Sequence, residues 1–401
     1  MLTHLAGPYV IGVDAGGTRT RVAVLTLGGA LAGSGTGPGA NPNSGGDTAG
    51  ALTTALGAAL GDLDRSLVLN GVFGIAGAGS AGRPAALAAA RRAWHAVGLH
   101  GSPAVVTDIA VAFAAGTGAP EGIVVFSGTG AGAAVINDGK IVQRADGYGW
   151  LVGDQGSAVW LGREAVLATL AALDGRGEPT LLAESVPRAL LGPAAVDSLA
   201  DGSARAPTAP VAEGPAGGRA MRARTPPERA FALASATAGA SGALMPRGSD
   251  GPARPAAVDD EPPPDGRAPT TTLDRPDRMP PADPALAQAI IKEVYGRPPA
   301  ALGRLGPVVC AAATAGDPVA QHITEEAAQW LLRDVDAVRP ALTDPCSPVV
   351  MAGSVLGDGP VADAVRAGLR ERFPVEPQQA GDGAVGAAGM ALRRLGLRPP
   401  D

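Results

Sequence analysis

The sequence predicts an α/β protein whose core is built from two copies of one unit. Residues 10–27 read as an apolar strand, a Gly-rich turn and a second strand, and residues 122–136 repeat that order. Each copy then passes through a tight turn into a third strand, at 30–35 and at 140–144. Ala- and Leu-rich helical runs alternate with the strands. A duplicated three-strand unit of this kind predicts two domains with a cleft between them.

The composition limits what the protein can do. The chain has 401 residues, which is enough for two or three domains. Apolar residues make up 46% of it but aromatic residues only 3%, so we expect cores packed from small aliphatic side chains. A net charge of −6 argues against a nucleic-acid or anionic-membrane surface, although a local basic patch is compatible with that total.

Cysteine usage and the N-terminus predict a cytoplasmic protein. Cys310 and Cys346 are too few and too far apart for a disulfide framework, so we expect reduced thiols. The first eight residues lack the basic and apolar regions of a signal peptide. No uninterrupted apolar run reaches the roughly 18 residues that a membrane span needs.

The stretch from about residue 200 to 285 differs from the rest of the chain. It is crowded with Pro, Gly, Ala, Arg and Asp and has few large apolar residues. Such a segment cannot bury enough surface to offset the entropy lost on ordering. We expect a disordered insertion with no catalytic role.

The first Gly-rich turn is suited to phosphate. Gly16 and Gly17 are expected to adopt positive φ and let the backbone approach a ligand closely, while Thr18 adds a hydroxyl donor. Asp14 could hold Mg²⁺ directly or through water. The alternative is an ordinary hairpin turn with a solvated Asp. The Gly-x4-Gly-Lys-Ser/Thr pattern of a P-loop is absent, so phosphate binding would depend on backbone dipoles, hydroxyls and metal.

The second Gly-rich turn repeats this chemistry in the second copy. Gly128, Thr129 and Gly130 could bind phosphate from the opposite side of the cleft, with the Thr129 hydroxyl donating. A flexible turn is the alternative, but two such turns in one duplicated frame favour a shared ligand. Each turn leads into a strand and not a helix, which disfavours a dinucleotide-binding fold.

Asp108 ends an apolar strand and precedes a helical run. Strand ends beside a cleft are where α/β enzymes place reactive groups. A carboxylate there could accept the proton of a sugar hydroxyl as that hydroxyl attacks phosphorus. The alternative is a helix N-cap, a common position for Asp.

Three further segments are candidates for ligand contacts. In the loop 147–157, Tyr148 and Asp154 could hydrogen-bond hydroxyl groups and Trp150 could form an apolar wall; a capped loop with core aromatics is the alternative. Asn41 stands before Pro in a loop, where plain turn chemistry would also explain it. Gly353 lies between a strand and a helix and would leave room for ribose or adenine against the backbone. An ordinary βα unit is the alternative.

Taken in order, these motifs resemble the N-acetylglucosamine kinase group of the BadF/BadG/BcrA/BcrD-type ATPase family, within the actin/hexokinase/Hsp70 superfamily. The likeness covers residues 8–200 and 285–398. It implies two ribonuclease-H-like, actin-like ATPase domains around a central nucleotide and sugar cleft. The N-terminal lobe would comprise 8–117 plus 384–398, with the helix after Gly383 packing back on it. The C-terminal lobe would comprise 118–383, interrupted by the insertion at 200–285.

The resemblance implies ATP-dependent phosphorylation of N-acetylglucosamine to its 6-phosphate, with ATP and Mg²⁺ as cofactors. The polar residues of the human-type enzyme are replaced by Ala131 and Gly132, which puts contacts to the sugar there in doubt. The positions carried over are Asp14 for metal; Gly16, Gly17, Thr18, Gly128, Thr129 and Gly130 for phosphate; Asp108 as general base; Asn41, Asp108, Gly147, Tyr148, Gly149 and Asp154 for the sugar; and Ala352, Gly353 and Ser354 for adenosine.

Competing hypotheses come from neighbouring classes. A kinase for glucosamine or N-acetylmannosamine would differ in a few contacts only. An ATP-driven activator of a partner enzyme would need clustered cysteines for an iron–sulfur cluster, and the two cysteines are not clustered. A sugar-responsive regulator would need a DNA-binding segment before the first strand, where only about eight residues stand. We therefore expect a small-molecule amino sugar as partner, no nucleic acid and no membrane; the oligomeric state stays open, with a homodimer as one outcome.

Overall fold

The computed structural model describes residues 7–42, 45–79, 81–204 and 284–397. The predicted insertion lies outside these residues except at its two ends, where one helix runs to Ala204 and the next begins at Pro284. The described residues form two five-stranded sheets. None of the helices within these ranges combines the length and the apolar character that crossing a bilayer requires.

The N-terminal sheet has the strand order β3-β2-β1-β4-β5. The first three strands form the predicted antiparallel meander, and the last two add in parallel to β1. Parallel addition needs crossover helices, which the Ala-rich runs supply. The strands are β1 (Tyr9–Ala15), β2 (Arg19–Thr26), β3 (Leu31–Pro38), β4 (Val68–Ile75) and β5 (Ala104–Thr107).

The second sheet repeats the first, with the order β8-β7-β6-β9-β10 and the same mixture of antiparallel and parallel pairs. Its hairpin turn contains Asp138 and Gly139, a pair that predicts a type I′ turn. Both residues have positive φ, 46° and 71°, so that prediction is confirmed. The strands are β6 (Glu121–Ser127), β7 (Ala131–Asn137), β8 (Lys140–Asp146), β9 (Val349–Ala352) and β10 (Gln378–Gln379).

Several helices begin at a residue whose side chain accepts a backbone N–H, such as Asp47, Ser157, Asp317 and Asp382. The helices are α1 (Thr48–Leu60), α2 (Arg83–Ala96), α3 (Asp108–Ala114), α4 (Ala158–Leu173), α5 (Leu182–Leu191), α6 (Pro193–Ala204), α7 (Pro284–Tyr295), α8 (Gly306–Thr314), α9 (Pro318–Val338), α10 (Pro360–Arg372) and α11 (Gly383–Arg393).

The C-terminal helix α11 packs directly on the first strand of the N-terminal sheet. Gly12 in β1 makes this possible, because a Cβ there would lie 2.0 Å from the carbonyl oxygen of Ala384. The buried face of α11 is correspondingly small, with Ala387 and Ala388 fully covered. Close approach of helix and strand places the N-terminus of α11 beside the end of β1.

A third layer joins the two sheets. Helices α3 and α11 contribute to one apolar cluster together with Val10 and Val72 of the N-terminal sheet and Val124 and Val350 of the second. The outer faces of the sheets carry separate clusters, rich in Ala, Val and Leu as the composition predicts. The described parts of both lobes therefore pack as one unit through α3 and α11. The residue bounds of the lobes stay a prediction.

Candidate active site

The first Gly-rich turn follows β1 and is open to solvent. The Gly16 N–H donates to the Arg19 carbonyl at 3.0 Å, which closes the turn. Neither Gly16 nor Gly17 has positive φ, so the prediction of left-handed glycines here was wrong. The turn closes without a left-handed residue, and what Gly17 supplies is space: a Cβ there would meet no described atom within 4 Å. The turn leaves room for a ligand beside Thr18, which is exposed.

The loop that carries Asn41 docks on this turn. The Ala40 N–H donates to the Gly16 carbonyl at 3.0 Å. A Cβ on Gly39 would lie 2.1 Å from the carbonyl oxygen of Gly17, so only glycine permits the contact. Asn41 follows immediately and is half-buried. The predicted sugar-binding Asn and the predicted phosphate turn are thereby held together.

Asp14, at the end of β1, lies against the start of α11. A Cβ on Gly383 would be 2.5 Å from Asp14 Oδ2, so this glycine lets the helix N-terminus approach the carboxylate. Arg21 Nη1 lies 3.8 Å from the same oxygen. Burial raises the pKa of Asp14, the Arg21 charge opposes this, and the nearby Asp382 adds to it. The negative charges of Asp14 and Asp382 thus act on one another at the end of β1.

Asp108 is the first residue of α3, and Thr107 is the capping residue, accepting the Ala110 N–H at 3.3 Å. The N-cap alternative therefore does not describe Asp108. Its carboxylate is not the capping group of α3 and is available to interact with a ligand. Burial raises the pKa of Asp108 to about 6, and the negative charge of Asp14 contributes. Its own N–H, that of the next residue and the Arg144 charge act in the opposite direction.

The second Gly-rich turn is fixed from two sides. Ser127 is fully buried, and its Oγ donates to the Gly156 carbonyl at 2.7 Å. The Gly128 N–H donates to the Gly130 carbonyl at 2.9 Å, and the Gly128 carbonyl accepts the first N–H of α4 at 2.8 Å. Thr129 stays exposed at the tip of the turn. The arrangement holds the backbone while leaving the Thr129 hydroxyl accessible.

The predicted adenosine segment packs on the same turn. Gly353 has φ 97°, which favours glycine, and a Cβ there would lie 2.2 Å from the Ser127 carbonyl oxygen. That carbonyl accepts the Val355 N–H at 3.1 Å. Ala352 is buried and Ser354 is exposed. The segment after β9 and the second phosphate turn thus form one continuous backbone surface.

The loop 147–157 is organised by Asp146, which the sequence analysis did not single out. Asp146 is buried, has φ 56°, and accepts three backbone N–H groups. The donors are Tyr148 at 3.4 Å, Asp154 at 2.9 Å and Gln155 at 3.1 Å. Its position just before a glycine at the end of a strand was the available signal. Asp146 sets the shape of the loop.

Asp154 lies against the second phosphate turn. Its carboxylate accepts the N–H groups of Ala131 and Gly149, and a Cβ on Gly130 would be 3.1 Å from Asp154 Oδ2. Burial raises the pKa of Asp154, while these hydrogen bonds and the Arg144 charge lower it. The backbone N–H of Ala131 therefore helps to hold Asp154 in place.

The outer part of this loop is exposed. Tyr148 is 64% exposed, and Trp150, Leu151 and Val152 also face solvent. The Tyr148 ring is covered on one side by the Arg144 guanidinium, whose carbon lies 5.5 Å from the ring centroid. The exposed side chains are free to contact a ligand entering beside them.

Arg144 is a second residue that the sequence did not identify. It belongs to β8, yet its charge acts on Asp108 in the other half of the molecule as well as on Asp154. Alternation along β8 places it on the same face as Asp146, two residues on. No motif surrounds it, so only the three-dimensional arrangement identifies it. Arg144 links the predicted base to the predicted sugar-binding carboxylate.

Two solved structures share the fold of this chain. A solved structure described as a putative N-acetylglucosamine kinase from Porphyromonas gingivalis has a TM-score of 0.59 at 16% identity, over 96% of this chain and 99% of that one. Another so described, from Chromobacterium violaceum, has a TM-score of 0.54 at 22% identity, over 95% and 98%. This chain shares its fold with both over nearly its whole length, which confirms the predicted fold class of two actin-like domains.

The chain belongs to the BadF/BadG/BcrA/BcrD ATPase family, whose model matches residues 11–391. The predicted family is thus confirmed. A curated N-acetylmuramic acid/N-acetylglucosamine kinase from Clostridium acetobutylicum is 40% identical over 86 residues. That match spans 21% of this chain and 28% of the relative.

Among the described residues, no group of three or more His, Cys, Asp or Glu side chains is placed to hold a metal ion.

Proposed function

We propose that this protein is a cytoplasmic, ATP-dependent sugar kinase that phosphorylates the primary hydroxyl of N-acetylglucosamine. The observation that carries the proposal is Asp108, a carboxylate with a pKa of about 6 that lies beside Asp14 and across from Arg144. Family membership supports nucleotide binding. The name of the curated relative supports an N-acetylated amino sugar as acceptor.

The two Gly-rich turns would bind the phosphates of ATP. Gly16, Gly17 and Thr18 offer backbone N–H groups and a hydroxyl from one lobe, and the space around Gly17 fits a phosphate group. The second turn would act from the other lobe. Asp14 would hold Mg²⁺, directly or through water, and the negative charges of Asp382 and Asp108 nearby would favour a cation there. When bound, Mg²⁺ neutralises charge on the transferring phosphoryl group.

The second turn and the segment after β9 would hold the rest of the nucleotide. Gly128, Thr129 and Gly130 would contact phosphate. Ala352, Gly353 and Ser354 would lie along the ribose and adenine, where the absence of a side chain at Gly353 lets a flat ligand reach the backbone. The hydrogen bond from Val355 to the end of β6 keeps both segments in register.

Asp108 would accept the proton of the sugar's primary hydroxyl. The hydroxyl oxygen then forms a bond to the γ-phosphorus in line with the bond to the departing ADP, which breaks. A pKa near 6 leaves the carboxylate ionised at pH 7 and still more basic than an ordinary aspartate. Arg144 would keep Asp108 ionised and orient it.

The sugar would lie between the Asn41 loop and the loop 147–157. Asp154, held by two backbone N–H groups, would accept hydrogen bonds from sugar hydroxyls. The backbone at Gly147 and Gly149 would leave room for the ring, with Tyr148 beside it. A second acceptor, N-acetylmuramic acid, is favoured by the relative's name and by the exposed Arg144, which could pair with its carboxylate.

The test is an ADP-release assay with Mg·ATP and a panel of acceptors. The panel is N-acetylglucosamine, N-acetylmuramic acid, glucosamine, N-acetylmannosamine, glucose and no sugar. We expect turnover with an N-acetylated sugar, and loss of it in a folded Asp108→Asn variant by at least about 100-fold. ADP release that is equal with and without sugar would instead identify an ATPase that serves a protein partner, and the kinase proposal would fall.

A further inference from the structure

A groove of about 750 Å³ opens between the two sheets, next to the candidate active site but extending away from it. Its near end is formed by Thr107 and Arg144. Its far end lies where the turn between β7 and β8 meets the last turn of α11: a Cβ on Gly139 would be 2.7 Å from Met390 Cε. The groove is therefore lined by both lobes along its length.

Positive charge dominates the described lining of this groove, which we call the basic groove. Its single carboxylate is Asp138. The cations are Arg83, Lys140, Arg144, Arg393 and Arg394. In a protein whose net charge is −6, such a concentration of one sign is a local exception.

These cations are not neutralised by ion pairs within the described residues. Several arginines outside the groove do form such pairs: Arg176, Arg370 and Arg372 lie 2.5–2.8 Å from carboxylates. Neither Lys140 nor Arg394 has a carboxylate within 4.0 Å in the part of the chain that the structure describes. The groove thus offers donors that an external anion could use.

The positions of two of these arginines, Arg83 and Arg393, also favour binding of an external anion. Basic residues at the end of α11 are favourable for the helix itself. Arg83, by contrast, is the first residue of α2, where the helix dipole disfavours a cation and favours an anion. Arg393 is half-buried, and burial lowers its pKa. A half-buried guanidinium with no partner in the described chain is stabilised when an anion binds beside it.

The far end of the groove is separate from the reacting groups. Lys140 and Arg144 are four residues apart on an extended strand, roughly 13 Å. The N-terminus of α11 lies at Asp14 and its C-terminus at Arg393, a helix length of about 15 Å. A phosphate held by the Lys140 turn and the end of α11 would not reach the phosphate turns.

We propose that the far end of the basic groove binds a phosphate group carried by a small metabolite, contacted by Lys140 from one lobe and by Arg393 and Arg394 from the other. The whole groove encloses about 750 Å³, so a phosphate at its far end leaves room in the groove for the sugar of a small ester. Because the site draws on both lobes, its ligand would hold them together. The proposal does not depend on the kinase reaction, since binding occurs without turnover.

The experiment is calorimetric titration of the full chain with ribose 5-phosphate, inorganic phosphate and ribose, in saturating Mg·ADP so that the phosphate turns are filled. We expect ribose 5-phosphate to bind, ribose not to bind, and binding to weaken as salt is raised. If inorganic phosphate binds as tightly as ribose 5-phosphate, the groove recognises the phosphate group alone. If inorganic phosphate binds more weakly, the groove also recognises the sugar of the ester.

Two exposed substitutions on different lobes test the location. Lys140→Gln and Arg394→Gln should each weaken binding of ribose 5-phosphate by about fivefold or more, since each removes a charge-assisted hydrogen bond. Arg370→Gln, which removes a paired arginine outside the groove, should change it less than twofold. Absence of binding by both phosphate probes, equal binding of ribose, or full affinity in both groove variants would overturn the proposal.

Discussion

The raised pKa of Asp108 predicts an unusual pH dependence for the proposed reaction. The base must be ionised to accept a proton. Below its pKa of about 6, kcat/KM should therefore fall about tenfold for each pH unit. At pH 5 roughly a tenth of the protein would carry the ionised base. The prediction applies to kcat/KM with both substrates well below saturation, because that quantity reports the free enzyme.

Arg144 supplies the perturbation. Its positive charge lowers the pKa of Asp108, so Arg144→Gln should move the acid limb of the profile to higher pH. An electrostatic effect of this kind displaces the pH profile of kcat/KM along the pH axis, in addition to any loss of rate. Arg176→Gln, an exposed arginine paired with Asp174, is the matched control and should leave the profile in place.

The assay is ADP release between pH 4.5 and 8.5 for the wild-type protein and the two variants, with circular dichroism at each pH to confirm folding. A profile that stays flat down to pH 5 would mean that Asp108 has an ordinary pKa or does not act as base. A profile of Arg144→Gln that is lower but not displaced would mean that Arg144 acts on binding alone, and the electrostatic link between the lobes would be refuted.

Three further predictions concern stability and nucleotide affinity. Gly12→Ala should destabilise the protein by about 2–3 kcal/mol in urea unfolding, because its Cβ would lie 2.0 Å from a backbone oxygen of α11; Gly57→Ala, at an open helical position, should stabilise it by about 0.5–1 kcal/mol. Gly353→Ala should raise KM for ATP severalfold, since φ there is 97°, whereas Gly357→Ala should not; equal KM values would contradict the adenosine assignment. The pKa of Asp334 is raised by burial and by the Asp146 charge from 3.8 to about 7, so stability is lost as pH rises between these values. Asp334→Asn should therefore raise Tm by about 2 °C or more at pH 8 and little at pH 4, and an equal effect at both would refute the titration.

Much of the fold could be predicted because local signals agree with one another. The two meanders were visible since each Gly-rich turn is followed by a strand-length apolar run, and the Asp138-Gly139 pair specifies its turn type locally. The position of Asp108 between β5 and α3 also followed from the local pattern. These features depend on residues that are neighbours along the chain.

The features that sequence reasoning missed depend on contacts between distant segments. Arg144 lies on an exposed edge strand and matters only because Asp108 of the other lobe lies opposite it. The geometry at Gly17 was misjudged because this turn closes without positive φ; the residue that must be glycine is Gly39, whose backbone packs on the Gly17 carbonyl. Asp146 shows no periodicity, and its three N–H partners follow only from how the loop folds over it.

The seating of α11 on β1 has a consequence for synthesis on the ribosome. Gly12 is synthesised well before Ala384 and Ala388, which cover it. The N-terminal sheet therefore remains with one apolar face uncovered while the second lobe is being made. Contacts this remote in sequence form slowly, and the uncovered face is prone to aggregate in the interval. A pause in translation before residue 383 would prolong that interval. A chaperone that shields the uncovered face would reduce aggregation during it.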